Sequence, residues 1–437
     1  MSEPMAKVCT LGLWHLGCVT SACLAEMGYE VAGYDPQEAV VDDLNRGRPP
    51  IFEPGLADLL RKNLDAGRLR FTASLPEAAR GAKYVWLTYD TAVDDEDEAD
   101  LSLLRTTVAR LGPALQDGAT VLVSSQVPVG SCREFAQTLR GAEQGLSVGV
   151  AYVPENLRLG QAIECFLRPE KIVIGADDAA TLAAAEALFA PWSAPFLHMD
   201  LATAEMSKHA VNAFLATCIS FANELAGVCD AVGADAVAVA NVLASDARIG
   251  GRLPLRPGLG FAGGTLARDL KALTAVAGRD GVRLDLLESV LAVNRRQNGR
   301  LAEKLRRFYG SLAGLKIGVL GLTYKAGTST LRRSVALEII DGLIQDGASV
   351  AAFDPQADGG EIKPLAGFRR APSPGEAAAG SDGLLVLTDW PEFRQLDWPA
   401  IRDAMRRPVV FDARNMLDVE VMRRCGFAYF GMGRSAP

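Results

Sequence analysis

The chain has 437 residues, of which 49% are hydrophobic and 22% are charged, and its formal net charge is −8. This length predicts two or three domains with large buried cores. The negative charge excludes a global electrostatic footprint for nucleic acid, although a local basic pocket for a phosphate ligand stays open.

We expect a cytoplasmic protein with no membrane partner. No run of 18 apolar residues and no signal-peptide pattern stands out in the sequence. The eight cysteines are scattered without a C-x-x-C pair, which indicates free thiols in a reducing compartment. No pattern of metal-ligand spacing is found, so we expect no metal.

The N-terminal region has the pattern of a dinucleotide-binding unit. A strand is predicted at 6–11, the turn GLWHLG follows, and a second strand at 31–34 ends at Asp35, 18 positions after the last glycine of the turn. That spacing places a pyrophosphate on the helix N-terminus and the acid on the adenosine ribose. The residues predicted to bind the cofactor here are Gly12, Trp14, His15, Leu16, Gly17 and Asp35.

The cofactor of this turn is expected to be NAD, because an acidic residue at Asp35 disfavours the 2′-phosphate of NADP. Trp14 occupies the position of the middle glycine, so its side chain must point away from the cofactor. The alternative is a degenerate Rossmann unit that binds none.

Alternating strands and helices continue to about residue 200. Strands are predicted at 84–88, 120–124, 147–152 and 171–174, which makes a doubly wound sheet. The acidic run 94–98 is interpreted as a solvated surface loop.

A long helix is predicted at 203–232. Its apolar residues recur in steps of three and four and predict packing against other helices, including those of a partner subunit; they are Val211, Leu215, Cys218, Ala222, Leu225, Cys229 and Val232. Lys208 and Asn212, four positions apart, can hold a water or a substrate oxygen together. The alternative is a solvated surface pair.

A glycine-rich loop follows at 257–269, with four glycines between Gly258 and Gly264. Glycine permits positive φ and close approach of backbone to a ligand. Arg268 and Asp269 come next, before an apolar helical run at 270–277. The loop is either a functional site or a turn between domains.

The last third repeats the N-terminal pattern. A strand at 316–320, Gly321, a helix at 335–344 and a strand at 350–353 lead to Asp354, and further strands are predicted at 384–387 and 409–411. The second unit carries the added cations Lys325, Arg332 and Arg333, which suit a diphosphate ligand. The predicted fold is therefore α/β, with two Rossmann-like domains (1–200 and 301–437) joined by a central helical domain (201–300).

The sequence resembles the UDP-glucose/GDP-mannose 6-dehydrogenase family over nearly its whole length. The matching segments are 45–56 (NRGRPPIFEPGL), 153–155 (VPE), 212–224 (NAFLATCISFANE), 248–250 (RIG), the glycine loop, 321–325 (GLTYK) and 411–415 (FDARN). The resemblance implies an NAD domain, a dimer-forming helical middle and a nucleotide-sugar domain. It also implies a homodimer and a role in polysaccharide or glycoside biosynthesis.

The resemblance also locates an unusual active site. Thr265 stands where the family has the cysteine that attacks the C6 aldehyde, Arg268 replaces the family's lysine, and Gln126 replaces a small hydroxyl residue. A Cys thiolate is accessible near neutral pH, whereas a Thr hydroxyl needs an adjacent base. The remaining catalytic residues that the family implies are Lys208, Asn212, Asp269 and Glu155.

The resemblance further implies binding residues. Those for the cofactor are Thr91, Gln126 and Arg332, and those for the nucleotide sugar are Glu155, Lys208, Asn212, Arg248 (from the partner subunit), Gly260, Phe261, Gly264, Lys325 and Arg414.

Three functions stay open. The first is an NAD-dependent nucleotide-sugar oxidoreductase that stops at an aldehyde or ketone, or reaches the acid through a hydrate. The second is a redox-neutral enzyme that retains its NAD. The third is a catalytically silent nucleotide-sugar-binding homologue.

Overall fold

The computed structural model describes residues 5–93, 99–142, 147–155, 157–357 and 367–434, so the acidic run 94–98 lies outside the described residues. The chain divides into two compact units, 1–211 and 212–437, and each is described by itself. The three-domain division stays a prediction.

The first unit is built on an eight-stranded sheet in the order β10-β9-β8-β7-β4-β1-β2-β3, in which β8 and β9 are antiparallel and the other neighbours parallel. Its strands are β1 (Met5–Leu11), β2 (Tyr29–Tyr34), β3 (Leu69–Thr72), β4 (Tyr84–Leu87), β7 (Thr120–Val123), β8 (Gly149–Tyr152), β9 (Ile172–Ala176) and β10 (Phe196–Met199). A separate antiparallel pair is formed by β5 (Ala92–Val93) and β6 (Ala99–Asp100). The strands predicted from the sequence are confirmed to within two residues.

Helices cover the faces of this sheet: α1 (His15–Glu26), α2 (Glu38–Asn45), α3 (Leu56–Asp65), α4 (Leu75–Ala79), α5 (Ser102–Leu111), α6 (Ser131–Ala142), α7 (Ala162–Leu167) and α8 (Ala179–Phe189). Small side chains such as Cys18, Ala22 and Ala25 are fully buried, so α1 packs closely on the sheet. β1 lies between β2 and β4, so the strand order reverses there. In doubly wound sheets ligands bind at this reversal, beyond the carboxyl ends of the strands.

The long helix α9 (Leu201–Val232) begins in the first unit and ends in the second. By length and composition alone it could cross a membrane, and 44% of its most apolar stretch is buried in the structure. A core helix passes the same test, so the absence of a membrane partner stays a prediction.

The second unit has a six-stranded parallel sheet in the order β13-β12-β11-β14-β15-β16. Its strands are β11 (Lys316–Leu320), β12 (Ser349–Phe353), β13 (Phe368–Arg370), β14 (Gly383–Val386), β15 (Val409–Asp412) and β16 (Ala428–Gly431). Its helices, besides the end of α9, are α10 (Ala236–Ser245), α11 (Arg268–Arg279), α12 (Asp285–Tyr309), α13 (Val335–Gln345), α14 (Pro374–Ala378), α15 (Trp398–Ala404) and α16 (Val419–Arg424). This is the Rossmann strand order, so the predicted fold class is confirmed.

The glycine loop differs from its prediction at one end. A π-helical turn, Gly263–Ala267, leads directly into α11. The last two glycines of the loop therefore belong to a helical turn that contains Thr265. Such turns often occur at functional sites.

Candidate functional site

The turn between β1 and α1 is tightly closed. Gly12 has φ of +95°, and a Cβ there would lie 2.6 Å from the ring of Tyr89. A Cβ on Gly17 would lie 1.8 Å from the carbonyl oxygen of Gly12. Both positions therefore require glycine, as the sequence pattern predicted.

The N-terminus of α1 is open to an anion. Trp14 precedes the helix, makes no capping hydrogen bond with its side chain, and no acidic residue lies in the first turn. The first N–H groups of a helix lack acceptors within the helix and bind phosphate well. Trp14 has extended backbone and is 38% exposed, so the bulky side chain at the middle-glycine position is not packed inside the turn.

Asp35 lies beside the same turn. Its carboxylate accepts hydrogen bonds from the N–H groups of Leu13 (3.2 Å) and Gln37 (3.0 Å). A carboxylate has about four acceptor positions, so it can still accept from a ribose hydroxyl. The glycines, the open helix end and this acid together fit a bound dinucleotide.

Two further predicted cofactor residues are in contact. The Thr91 hydroxyl donates to the carbonyl oxygen of Gln126 at 2.6 Å. Each follows a central strand of the first sheet, β4 and β7 respectively, which places the pair near the carboxyl edge. Arg332 lies in the second unit, in the segment between β11 and α13.

Lys208 and Glu155, both in the first unit, form a pair. Lys208 is buried; its ammonium donates to the carbonyl oxygen of Glu155 and lies 3.6 Å from the carboxylate of the same residue. The structure therefore contradicts the alternative of a solvated surface lysine. A buried lysine needs such partners because removal of its charge from water is costly.

Lys208 also belongs to a well-anchored stretch of α9. The carboxylate of Glu205 accepts from the N–H groups of Gly130 (2.5 Å) and Cys132 (2.8 Å), and His209 bonds the carbonyl oxygen of Val127 (2.9 Å). These contacts fix the loop that carries Gln126. Sequence reasoning did not single out Glu205 or His209.

Asn212 and Asp269, both in the second unit, form another pair. The Asn212 amide donates to the Asp269 carboxylate, and Asp269 is 0% exposed. These residues are 57 positions apart, so their contact supports the prediction that both belong to a built site.

The glycine loop is held by amide side chains that the sequence analysis did not assign. Asn294 accepts from the N–H of Phe261 and donates to its carbonyl, both at 2.8 Å. Gln297 donates to the carbonyl of Gly258 at 2.6 Å, and Asn223 accepts from the N–H of Gly258 at 2.9 Å. Asn223 belongs to a quoted motif, whereas Asn294 and Gln297 resemble ordinary polar residues of a helix surface.

Two more contacts explain the loop's composition. A Cβ at Gly260 would lie 2.6 Å from the Asn294 amide oxygen, so glycine is needed there for the amide to pack. Asn415, with φ of 51°, donates to the carbonyls of Pro257 (2.9 Å) and Met432 (2.8 Å). At least part of the glycine content therefore serves the protein's own hydrogen bonds.

Thr265 is partly exposed in the π-helical turn. Within the described residues, no side chain is hydrogen-bonded to its hydroxyl. All eight cysteines are free, and burial raises the pKa of Cys218, which disfavours its thiolate. Within the described ranges no group of three or more His, Cys, Asp or Glu side chains is placed to hold a metal.

The other cations predicted to bind substrate, besides Lys208, lie in the second unit. The Arg248 guanidinium, 88% exposed, pairs with Asp246 at 2.7 Å, and this pairing lowers the pKa of Asp246. Arg414 donates to the carbonyl of Leu387 at 2.7 Å, and Lys325 is exposed between β11 and α13. Gly264 lies in the π-helical turn.

Comparison with known proteins yields matches along the whole chain. Three models of the UDP-glucose/GDP-mannose dehydrogenase family match: the NAD binding domain at residues 6–193, the central domain at 202–296 and the UDP binding domain at 318–419. The first of these matches assigns NAD to the N-terminal sheet.

Individual proteins similar to this chain are named as UDP-glucose dehydrogenases. The chain is 36% identical to the UDP-glucose 6-dehydrogenase TuaD of Bacillus subtilis, covering 99% of this chain and 94% of the relative. It is 37% identical to a UDP-glucose 6-dehydrogenase of Pseudomonas aeruginosa, covering 98% and 97%. A UDP-glucose dehydrogenase structure from Pyrobaculum islandicum superimposes with a TM-score of 0.90 at 31% identity, covering 99% of both chains.

Proposed function

Because the chain belongs to the UDP-glucose/GDP-mannose dehydrogenase family, we propose that it oxidises a CH–OH group of a nucleotide sugar without a covalent thioester step. The observation that carries this proposal is the buried Lys208, held by Glu155, in a chain whose glycine loop has Thr265 in place of the expected cysteine. The first feature supports alcohol oxidation, and the second disfavours acyl transfer.

Oxidation of an alcohol requires a base for the hydroxyl proton and an acceptor for the hydride. Bound NAD supplies the hydride acceptor. Lys208 is the proposed base, and the carbonyl and carboxylate of Glu155 orient its amine. Asn212 and Asp269 are proposed to orient a water or the sugar hydroxyl, since the Asn212 amide is fixed by the Asp269 carboxylate.

The second half of the family reaction lacks its nucleophile. An aldehyde can lose a hydride only after a nucleophile adds to it, and a Thr hydroxyl does so only with a nearby base. The reaction therefore ends at an aldehyde or ketone, or water adds to form a hydrate. The groups proposed to bind the nucleotide sugar besides Glu155, Lys208 and Asn212 are Arg248, Gly260, Phe261, Gly264, Lys325 and Arg414, and Arg332 is proposed to bind the cofactor.

The test combines product identification with paired variants. Purified protein is incubated with NAD and a panel of nucleotide sugars, and products are identified by mass spectrometry while NADH is counted. Lys208→Ala should lower turnover at least about a hundredfold, the usual effect of losing a general base. Thr265→Ala should stay within about tenfold of the wild type. Lys62→Ala and Thr274→Ala, which alter a surface lysine and a helix threonine, are the matched controls.

The alternative functions give different results. An isomerised sugar without net NADH identifies a redox-neutral enzyme, and binding without any product identifies a silent homologue. Loss of turnover in Thr265→Ala, or a sugar adduct on Thr265, shows that the hydroxyl is the nucleophile. Two NADH per sugar in the wild type favours the hydrate route, and Thr265→Cys tests whether a thiol also permits the second oxidation.

We further propose a homodimer in which α9 contributes to the interface. Phe214, Phe221 and Val228 recur every seven residues and are more than half exposed. A heptad row of this kind is typical of a helix that packs on a partner helix. This row differs from the predicted one, because Cys218, Ala222 and Cys229 are buried.

The dimer proposal includes a shared active site with Arg248 from the partner subunit. After subunit exchange, a mixture of inactive Lys208→Ala and Arg248→Ala proteins should recover about a quarter of wild-type activity, because half of the dimers are mixed and each has one complete site. Phe221→Glu should yield monomers in sedimentation. No recovery in the mixture would place Arg248 in its own subunit's site, whereas full activity of Arg248→Ala alone would place it outside the site.

A further inference from the structure

Glu53 is a buried carboxylate that the proposed reaction does not use. It lies just before α3, and its side chain is 1% exposed. One oxygen accepts from His15 Nε2 and from the N–H of Gly160, both at 2.8 Å, and the other accepts from the N–H of Ala162 at 2.9 Å.

These hydrogen bonds join three segments that are distant in sequence. A buried carboxylate is costly unless hydrogen bonds compensate it. Here the donors are a side chain of the cofactor turn and two backbone groups at the start of α7. The Glu53 carboxylate therefore holds the turn and the segment before α7 in one arrangement.

Both held segments lead to functional groups. His15 is the first residue of α1, whose N-terminus is predicted to bind the pyrophosphate. Gly160 and Ala162 follow Glu155, whose carbonyl accepts the Lys208 hydrogen bond. Glu155 is thus held by Lys208, and Gly160 and Ala162 are held by Glu53.

We propose that Glu53 is a positioning residue that couples the NAD turn, through His15, to the segment that orients Lys208. The proposed effect of Glu53 on NAD affinity depends only on the NAD site. Its proposed effect on the orientation of Lys208 rests on the proposed function. When the pyrophosphate fixes the start of α1, the His15–Glu53 hydrogen bond restrains Gly160 and Ala162 as well.

Calorimetry of NAD binding without any sugar tests the first part. Glu53→Gln puts an amide donor against N–H donors, and His15→Phe removes one partner of the hydrogen bond. Each variant should raise the Kd for NAD about tenfold, and the double variant should raise it about tenfold rather than a hundredfold, because one interaction is lost in all three. Glu38→Gln, an exposed glutamate on α2, is the control and should leave the Kd unchanged.

If Glu53 has only a structural role, NAD affinity and unfolding temperature respond differently to the substitutions. Unchanged NAD affinity with a lowered unfolding temperature in Glu53→Gln, or multiplied effects in the double variant, would overturn the proposal. If Glu53→Gln does not fold, the hydrogen-exchange comparison of wild type and His15→Phe at saturating NAD decides, because it does not depend on any direct contact of His15 with the cofactor.

Hydrogen exchange tests the coupling itself. NAD should slow exchange of the Gly160 and Ala162 amides at least threefold in the wild type and leave it unchanged in His15→Phe at saturating NAD. Equal slowing in both proteins refutes the coupling. Because neither measurement needs a sugar substrate, failure of the proposed oxidation would not be mistaken for failure of this inference.

Discussion

The two sheets begin with the same order of strand, glycine turn and acidic residue. In the described part of the chain, the acid and the helix start beside the turn are left open to a ligand in the first sheet and are occupied by the protein's own groups in the second. Gly12 and Gly321 have φ of +95° and +98°, and a Cβ at either would clash with the strand-end residue opposite it, Tyr89 or Thr388. The backbone requirement is thus the same in both turns.

The acids differ in their surroundings. Among the described residues, the Asp35 carboxylate accepts two hydrogen bonds. The Asp354 carboxylate accepts six, including those from Thr323, Gln356 and Trp390. The second acid is therefore saturated by its own protein.

The starts of the two helices also differ, because only the second is capped by a side chain. α1 follows its turn directly and has no side-chain cap. α13 begins only after the segment 321–334, and the Ser334 hydroxyl accepts from the N–H of Ala336 and donates to the carbonyl of Leu322. The same fold unit thus leaves its acid and helix end open where the cofactor site is predicted, and satisfies both internally in the second sheet.

The largest expected effect is on stability. Asp354→Ala leaves several buried donors unsatisfied, each worth about 1–3 kcal/mol, so unfolding free energy should fall by about 3 kcal/mol or more. Urea unfolding measures this, and NAD affinity of the folded protein should not change. A loss below about 1 kcal/mol would show that the second acid is not a structural centre.

Asp35→Ala, in contrast, should weaken NAD binding more than it lowers stability. Loss of the ribose acceptor should raise the Kd for NAD by about ten- to a hundredfold, or about 1.4–2.8 kcal/mol, with a smaller change in stability. Calorimetry with NAD and NADP measures it, and the wild type should prefer NAD. Tighter NADP binding by the wild type would contradict the role given to Asp35.

Trp14→Asp should make the first turn resemble the second. A carboxylate at this position caps the helix, which stabilises it by about 1 kcal/mol, and repels the pyrophosphate. NAD affinity should fall about tenfold, or about 1.4 kcal/mol, relative to Trp14→Ala as control. Equal affinity of the two variants would mean that the helix end does not bind the phosphates.

Ser334→Ala should have the smallest effect. Removal of the cap of α13 should cost about 1 kcal/mol of unfolding free energy. Thermal unfolding detects this, and NAD titration should be unaffected. A change in NAD affinity would indicate that the Ser334 cap also positions Arg332, the residue of segment 321–334 that is proposed to bind the cofactor.

Sequence patterns predicted both turns and the inner strands of the two sheets, because a buried strand such as 316–320 before Gly321 is a short apolar run. The edge strands β3, β10, β13 and β16 were not predicted. The patterns could not predict which turn is open, since Asp35 and Asp354 stand in nearly identical tetrapeptides. The difference arises from residues such as Trp390, which reaches Asp354 from 36 positions away.

For the site residues, too, the sequence does not show which tertiary contacts they make. Lys208 and Asp269 were predicted, but their partners are set by tertiary contacts over 53 and 57 positions. Asn294 and Gln297 were missed because a polar residue on a helix looks the same in sequence whether it faces water or holds a loop. Predicted roles of Thr265 and Arg248 await experiment.

Asn415 has a consequence for the order of folding. Its amide ties Pro257, at the start of the glycine loop, to Met432 near the end of the described chain. Contacts this distant in sequence form late and slow folding, because a long loop must close first. During synthesis the glycine loop therefore lacks the hydrogen bond from Asn415 until that residue, 158 positions after Pro257, has left the ribosome.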